Sequence, residues 1–267
     1  MASAATGSDL PDLDDRLVFP ETRYEMLDGE LVYVSPADPP HAELHVQLCA
    51  LLEAHTGPAF EVACDLLTRT SKVDDLAPDA SVYPAARDAV TRRRQLEQLA
   101  FEVVNAQSIR VASKKAGKLA ARGVRRIFAI DVDKSRALEW SVAEGQWTVL
   151  DAEGHITDPA LEVPLPIAAL IHTVKVDDEI ARALVAKRNP VIEAIRAEGR
   201  QEAEARGMAE GLCRGKAEPL IAMLAARGAL VEAQRGRILA ERDVSRLERW
   251  IDRAIAGASA AELLAEP

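Results

Sequence analysis

Apolar and polar residues alternate over RYEMLDGELVYV, with Asp28-Gly29 between the two runs. A period of two broken by Asp-Gly predicts a hairpin of Tyr24–Leu27 and Glu30–Ser35. Leu44, Leu48, Leu51 and Leu52 then recur at helical spacing. They predict a helix from His41 to about His55, ended by Gly57-Pro58. FEVACDLLTRT alternates roughly as a strand, and LAPDASVYP reads as a second strand closed by Pro84. The Arg-rich stretch 85–97 reads as a surface loop or short helix. LAFEVVN is a short continuous apolar run, the mark of a strand buried on both faces. SKKAGKLAARGV predicts a helix stopped at Gly123, and RRIFAIDVD a further buried strand. ALEWSV and GQWTVLD predict two strands joined at Ala143–Gly145, and 153–173 leads onward.

From about Asp177 the pattern is almost wholly helical, punctuated by Pro190 and Pro219. The expected organisation has three parts. Residues 1–18, polar, acidic and rich in small side chains, are expected to be disordered. Residues 19–175 form an α/β domain and 176–267 a helical tail.

Composition narrows this picture. Aromatics are only 4%, so Ala, Leu and Val carry the apolar load, which favours helix-rich packing over an all-β sandwich. The N-terminus lacks the basic and apolar regions of a signal peptide, and no apolar run has the length of a membrane span. Cys49, Cys64 and Cys213 are scattered, odd in number and without a CxxC. They imply neither a disulfide framework nor a zinc site, and are expected as small buried hydrophobes in a reducing, cytoplasmic setting. The formal charge of -10 argues against broad nonspecific nucleic-acid coating, but not against a local basic patch.

The candidate chemistry lies in the α/β part. Asp79 follows Pro78 in an extended segment, and Glu102 lies in the FEVV strand. Paired strands would present both carboxylates together. Two adjacent carboxylates are costly without a cation, and a hard divalent ion such as Mg²⁺ resolves that cost. A nearby lysine would then stabilise a developing phosphate charge or help activate water. Between Asn105 and Arg126 there are seven Lys and Arg residues and no acid. Such a run is either a phosphate-facing surface or an ordinary solvated helix face.

These landmarks, taken in order, resemble the Uma-type restriction endonuclease family of the PD-(D/E)xK superfamily. YEMLDGELVYVSP resembles its opening hairpin, with His41 at the family's spacing after Ser35-Pro36. PDASV resembles its PD strand, FEVV its second acidic strand, and IFAIDVD the strand after its helix. The resemblance spans about Tyr24 to Val142. It implies a restriction-endonuclease-like mixed central sheet flanked by helices. It implies Asp79 and Glu102 as metal ligands for Mg²⁺ or Mn²⁺, and Lys115, eight residues before Gly123, as the catalytic lysine. Arg110, Lys114 and Lys118 are then candidates for phosphate contacts, Lys114 and Lys118 being also competitors for the lysine role. Glu30 would be an accessory group reaching the metal from the hairpin. His41 would be another, near a phosphate or a water. His45 and His55 have no partner spacing that assigns them a role.

Two function classes follow. One is a metal-dependent DNA endonuclease acting as a homodimer, since two cuts on a duplex are most simply made by two copies. The other is a catalytically silent nuclease fold that binds nucleic acid or protein. In the tail, Gly199, Ala203, Gly207, Gly211 and Gly215 recur every four residues. This row reads as a close helix–helix contact or as a Gly-weakened spacer. Leu220, Leu224, Leu247, Trp250, Ile251 and Ile255 are expected to form the tail's core, in a module for self-association or docking.

Overall fold

The computed structural model describes residues 11–13, 17, 24–34, 39–105, 108–171, 176–228 and 230–265. The expected disordered segment 1–18 therefore lies largely outside the described residues. The chain forms two compact units, Met1–Asn189 and Pro190–Pro267.

The first unit is built on a six-stranded sheet. Its strands are β3 (Phe60–Cys64), β6 (Ala80–Pro84), β7 (Leu99–Val104), β8 (Arg126–Asp131), β9 (Arg136–Ser141) and β10 (Gln146–Val149), in the order β10-β9-β8-β7-β6-β3. Within this sheet β7 and β8 pair in parallel, and the other described neighbours pair antiparallel. The helix α2 (Ile109–Arg122) joins β7 to β8, as a parallel pair requires. Strand β7 is buried at every position, which accounts for its unbroken apolar run. Its odd residues Leu99, Phe101 and Val103 pack with Leu48, Leu51 and Leu52 of α1 (Pro39–His55). Its even residue Ala100 packs with Ala116 and Leu119 of α2 and with Ile127. One strand thus fixes a helix on each face of the sheet.

A second sheet, order β2-β1-β5-β4, contains the hairpin β1 (Tyr24–Leu27) and β2 (Glu30–Tyr33) with the short strands β4 (Thr68–Arg69) and β5 (Asp75–Leu76). The stretch FEVACDLLTRT is therefore two strands in two sheets. Asp65 takes a positive φ of 49°, and this turn carries the chain from one sheet to the other. The pair β11 (His155–Ile156) and β12 (Leu165–Pro166) leads into α3 (Ile167–Ile171). Helix α4 (Val176–Ala186) packs against α1, so it belongs to the first unit.

Cys49 of α1 and Cys64 of β3 form a disulfide, with Cα atoms 6.8 Å apart. This departs from the expectation of buried thiols. Only Cys213 is a buried free thiol. The pairing follows from α1 lying against β3, which a 15-residue separation does not announce. No helix among the described residues is long and apolar enough to cross a membrane.

The second unit comprises α5 (Pro190–Arg227), α6 (Glu232–Ala240), α7 (Val244–Ile255) and α8 (Ala260–Leu264). Pro219 lies inside α5 rather than ending it. Leu220, Leu224, Leu247 and Trp250 are buried together, with Ile251 partly buried against them. Ile255 is exposed, contrary to expectation. A Cβ placed on Gly199, Gly207, Gly211 or Gly215 would meet nothing within 4 Å, so the glycine row makes no close contact within the described chain.

Candidate active site

Antiparallel pairing sets Ala80 of β6 against Phe101 of β7. Asp79 immediately precedes β6, beside that pair, and lies near enough to Glu102 for its charge to raise the Glu102 pKa. The backbone N–H of Val103 donates to Asp79 Oδ2 at 2.5 Å. This holds the carboxylate at the end of the strand pair.

Lys115 reaches the pair from α2. The helix starts from a closed turn: Asn105 N–H donates to Ser108 Oγ, and Ser108 N–H donates to Asn105 Oδ1, each at 2.9 Å. It stops at Gly123, whose φ is +117°, with the Gly123 and Val124 amides donating to the Leu119 carbonyl. Ala112, Lys115, Ala116 and Leu119 are the buried residues of the helix. Lys115 therefore points inward because it shares the face of the apolar residues. Its Nζ lies 2.8 Å from Glu102 Oε1 and 3.1 Å from Glu25 Oε1.

Glu25 is a site residue that the motifs of the sequence do not mark. It is buried on β1 beside Leu27 in the strand's alternating pattern, and also accepts from the Ala77 amide at 2.9 Å. The signal was the strict alternation of YEML, which puts Glu25 and Leu27 on one face. The hairpin residue expected at the site, Glu30, lies exposed at the turn.

The electrostatics are those of a crowded buried cluster. Burial pushes Glu102 up to about 8, with Asp79 and Glu25 adding to the rise and Lys115 opposing it. Burial works against the Lys115 ammonium, but Glu102, Glu25 and Asp79 outweigh it and hold its pKa above the ordinary lysine value. Asp79 is raised by burial and lowered more by His45, Lys115 and the Val103 amide, so it lies below the usual carboxylate range.

His45, on α1, brings Nε2 to 3.4 Å from Asp79 Oδ2. This contact raises the His45 pKa against the effect of burial. His41 is one helical turn earlier, with ring centroids 4.6 Å apart. HAELH places two histidines at i and i+4 on one helix face, but the sequence alone offers His45 no partner. The two histidines and Asp79 offer ligand atoms within 4.8 Å of one another.

The basic run divides. Lys118 is paired with Asp28 at 2.7 Å and Asp74 at 2.8 Å. Arg122 donates to the Pro11 carbonyl, Arg125 to Asp158, and Arg126 to Glu139. Arg110 and Lys114 remain exposed, Lys114 with Asp28 at 3.8 Å. Much of the positive surplus is thus met by acids from other parts of the unit.

The residues fit a divalent cation. Asp79 and Glu102 offer carboxylate oxygens, the hard ligands such an ion takes, and the burial that pushes Glu102 up is a cost that a bound cation would relieve. A mixed sheet flanked by helices, with two carboxylates and a helix-borne lysine at the ends of adjacent strands, is a restriction-endonuclease-like α/β core. The chain belongs to the Uma2 family, described as putative restriction endonuclease, which matches residues 10–169. The chain is also similar in structure to a putative nuclease belonging to DUF820 from Anabaena variabilis. That likeness has 15% sequence identity and a TM-score of 0.47, covering 55% of this chain and 89% of the other. No curated protein matches the chain.

Proposed function

We propose that the protein is a metal-dependent endonuclease that hydrolyses DNA phosphodiester bonds, with Asp79 and Glu102 holding Mg²⁺ or Mn²⁺. The observation that carries this is the meeting of Asp79, Glu102 and Lys115, from three separate elements, in one buried cluster. A bound divalent ion supplies a Lewis acid for the phosphate and a more acidic water. Asp79 and Glu102 fix where that ion sits relative to the sheet end. Lys115, kept protonated by three carboxylates, acts as a fixed positive charge towards the phosphate as negative charge grows on its oxygens. A lysine held this way does not serve as the base. Glu25 orients it through the 3.1 Å contact. Arg110 and Lys114, exposed on α2, are placed to meet the nucleic-acid backbone. The homodimer proposed here provides one site for each strand of the duplex.

The test is cleavage of supercoiled plasmid in Mg²⁺ or Mn²⁺ by the wild type and by Asp79→Asn. Nicking that needs the metal and falls at least about 100-fold in the variant is expected. No nicking by the wild type with either ion would move the assignment to a nuclease fold used only for binding.

A further inference from the structure

We propose that His41, His45 and Asp79 form a nitrogen–oxygen site for a borderline transition ion of the Zn²⁺, Co²⁺ or Ni²⁺ class. This deepens the reading of the nuclease site, because Asp79 is common to both, but binding alone tests it.

Three observations meet here. The histidines stand four residues apart on α1, a spacing that turns both rings to one side of a helix. Their ligand atoms and a carboxylate oxygen of Asp79 lie within 4.8 Å of one another. His45 Nε2 and Asp79 Oδ2 are 3.4 Å apart. Ligands about 2.1 Å from a tetrahedral ion stand about 3.4 Å from each other, so these two atoms already span one edge of such a shell.

Ligand chemistry separates this position from the carboxylate pair. Imidazole nitrogen suits Zn²⁺, Co²⁺ and Ni²⁺, whereas Mg²⁺ prefers carboxylate and water. Asp79 is common to the two sets, whose other members are the histidines of α1 on the one hand and Glu102 of β7 on the other. The Val103 amide holds its Oδ2. The remaining coordination positions would be taken by water or a phosphate oxygen.

The experiment titrates the full-length, metal-stripped protein with Co²⁺, followed by calorimetry and visible absorption, in parallel with Mg²⁺. One equivalent of Co²⁺ should bind. His41→Gln and His45→Gln should each weaken it at least about tenfold, a larger loss than either causes in Mg²⁺ binding. The Co²⁺-loaded wild type should show hyperfine-shifted imidazole N–H resonances, a readout that depends on no variant folding. Absence of Co²⁺ binding overturns the proposal. So does Co²⁺ binding without shifted imidazole resonances, or Co²⁺ affinity lowered by Glu102→Gln and not by the histidine variants. The last result would leave the carboxylate metal site standing. Imidazole-bound Co²⁺ in a protein that cleaves no DNA would instead sink the nuclease reading and keep this site.

Discussion

Lys115 sits among Glu25, Glu102 and Asp79, and it is the charge that makes their burial tolerable. Removing one partner of a buried charge cluster leaves the others uncompensated. Lys115→Ala should therefore cost about 3–5 kcal/mol of unfolding free energy, read by urea denaturation. Asp79→Asn keeps an oxygen for the Val103 amide and should change stability far less, so its loss of cleavage reports the site itself. Burial pushes Glu102 up to about 8 in the metal-free protein. Below that pH a proton occupies the oxygen that the ion needs. Mg²⁺ affinity, measured by calorimetry, should rise with pH until about 8 and then level. His55 behaves in the opposite sense to a charged partner. Burial lowers its pKa, partly offset by its bond to the Val163 carbonyl. The unfolded chain takes up a proton near the ordinary value of about 6.5 and the native one resists it. His55 thus favours folding fully above about 6.5, and this is lost as the pH falls through the lower folded value. Wild type minus His55→Gln, followed by denaturation from pH 8 to 5, should show that slope.

At the scale of elements, α2 carries the lysine, and both its ends are specified locally. Gly123 has a φ of +117°, and a Cβ there would stand 3.4 Å from Leu96 Cδ2. Gly123→Ala should cost about 1–2 kcal/mol in backbone strain and lower the thermal midpoint. The alternating burial of β1 explains why Glu25, not Glu30, meets the lysine. It could have been chosen from YEML by asking which carboxylate shares a face with Leu27. The two histidines of HAELH were equally legible as a pair. What could not be read was their partner, because Asp79 lies on a different element.

At the scale of the molecule, each unit has its own apolar core. Leu48, Phe101 and Phe128 belong to that of the first, and Leu220, Leu247 and Trp250 to that of the second. A chain ending at Asn189 should therefore unfold cooperatively on its own, as seen by calorimetry. With the homodimer and the tail's associating role as proposed, sedimentation equilibrium should give a dimer for the full chain and a monomer for residues 1–189. A dimer in both would move the self-association to the α/β unit.

Periodicity determined the hairpin 24–33 and the helices around 39–55 and 109–122, which are specified by contacts a few residues apart, and unbroken apolar runs marked the buried strands 99–104 and 126–131. The order of PDASV, FEVV and Lys115 marked the candidate carboxylates and lysine. Tertiary structure decided what no local pattern encodes. The positive φ at Asp65 divided FEVACDLLTRT between two sheets. The packing of α1 on the sheet brought Cys49 to Cys64 and His45 to Asp79. Ion pairing from Asp28, Asp74, Asp158 and Glu139 claimed much of the basic run. Those outcomes depend on which surfaces meet when the chain closes, and the pairs they create lie from 13 to 90 residues apart along it.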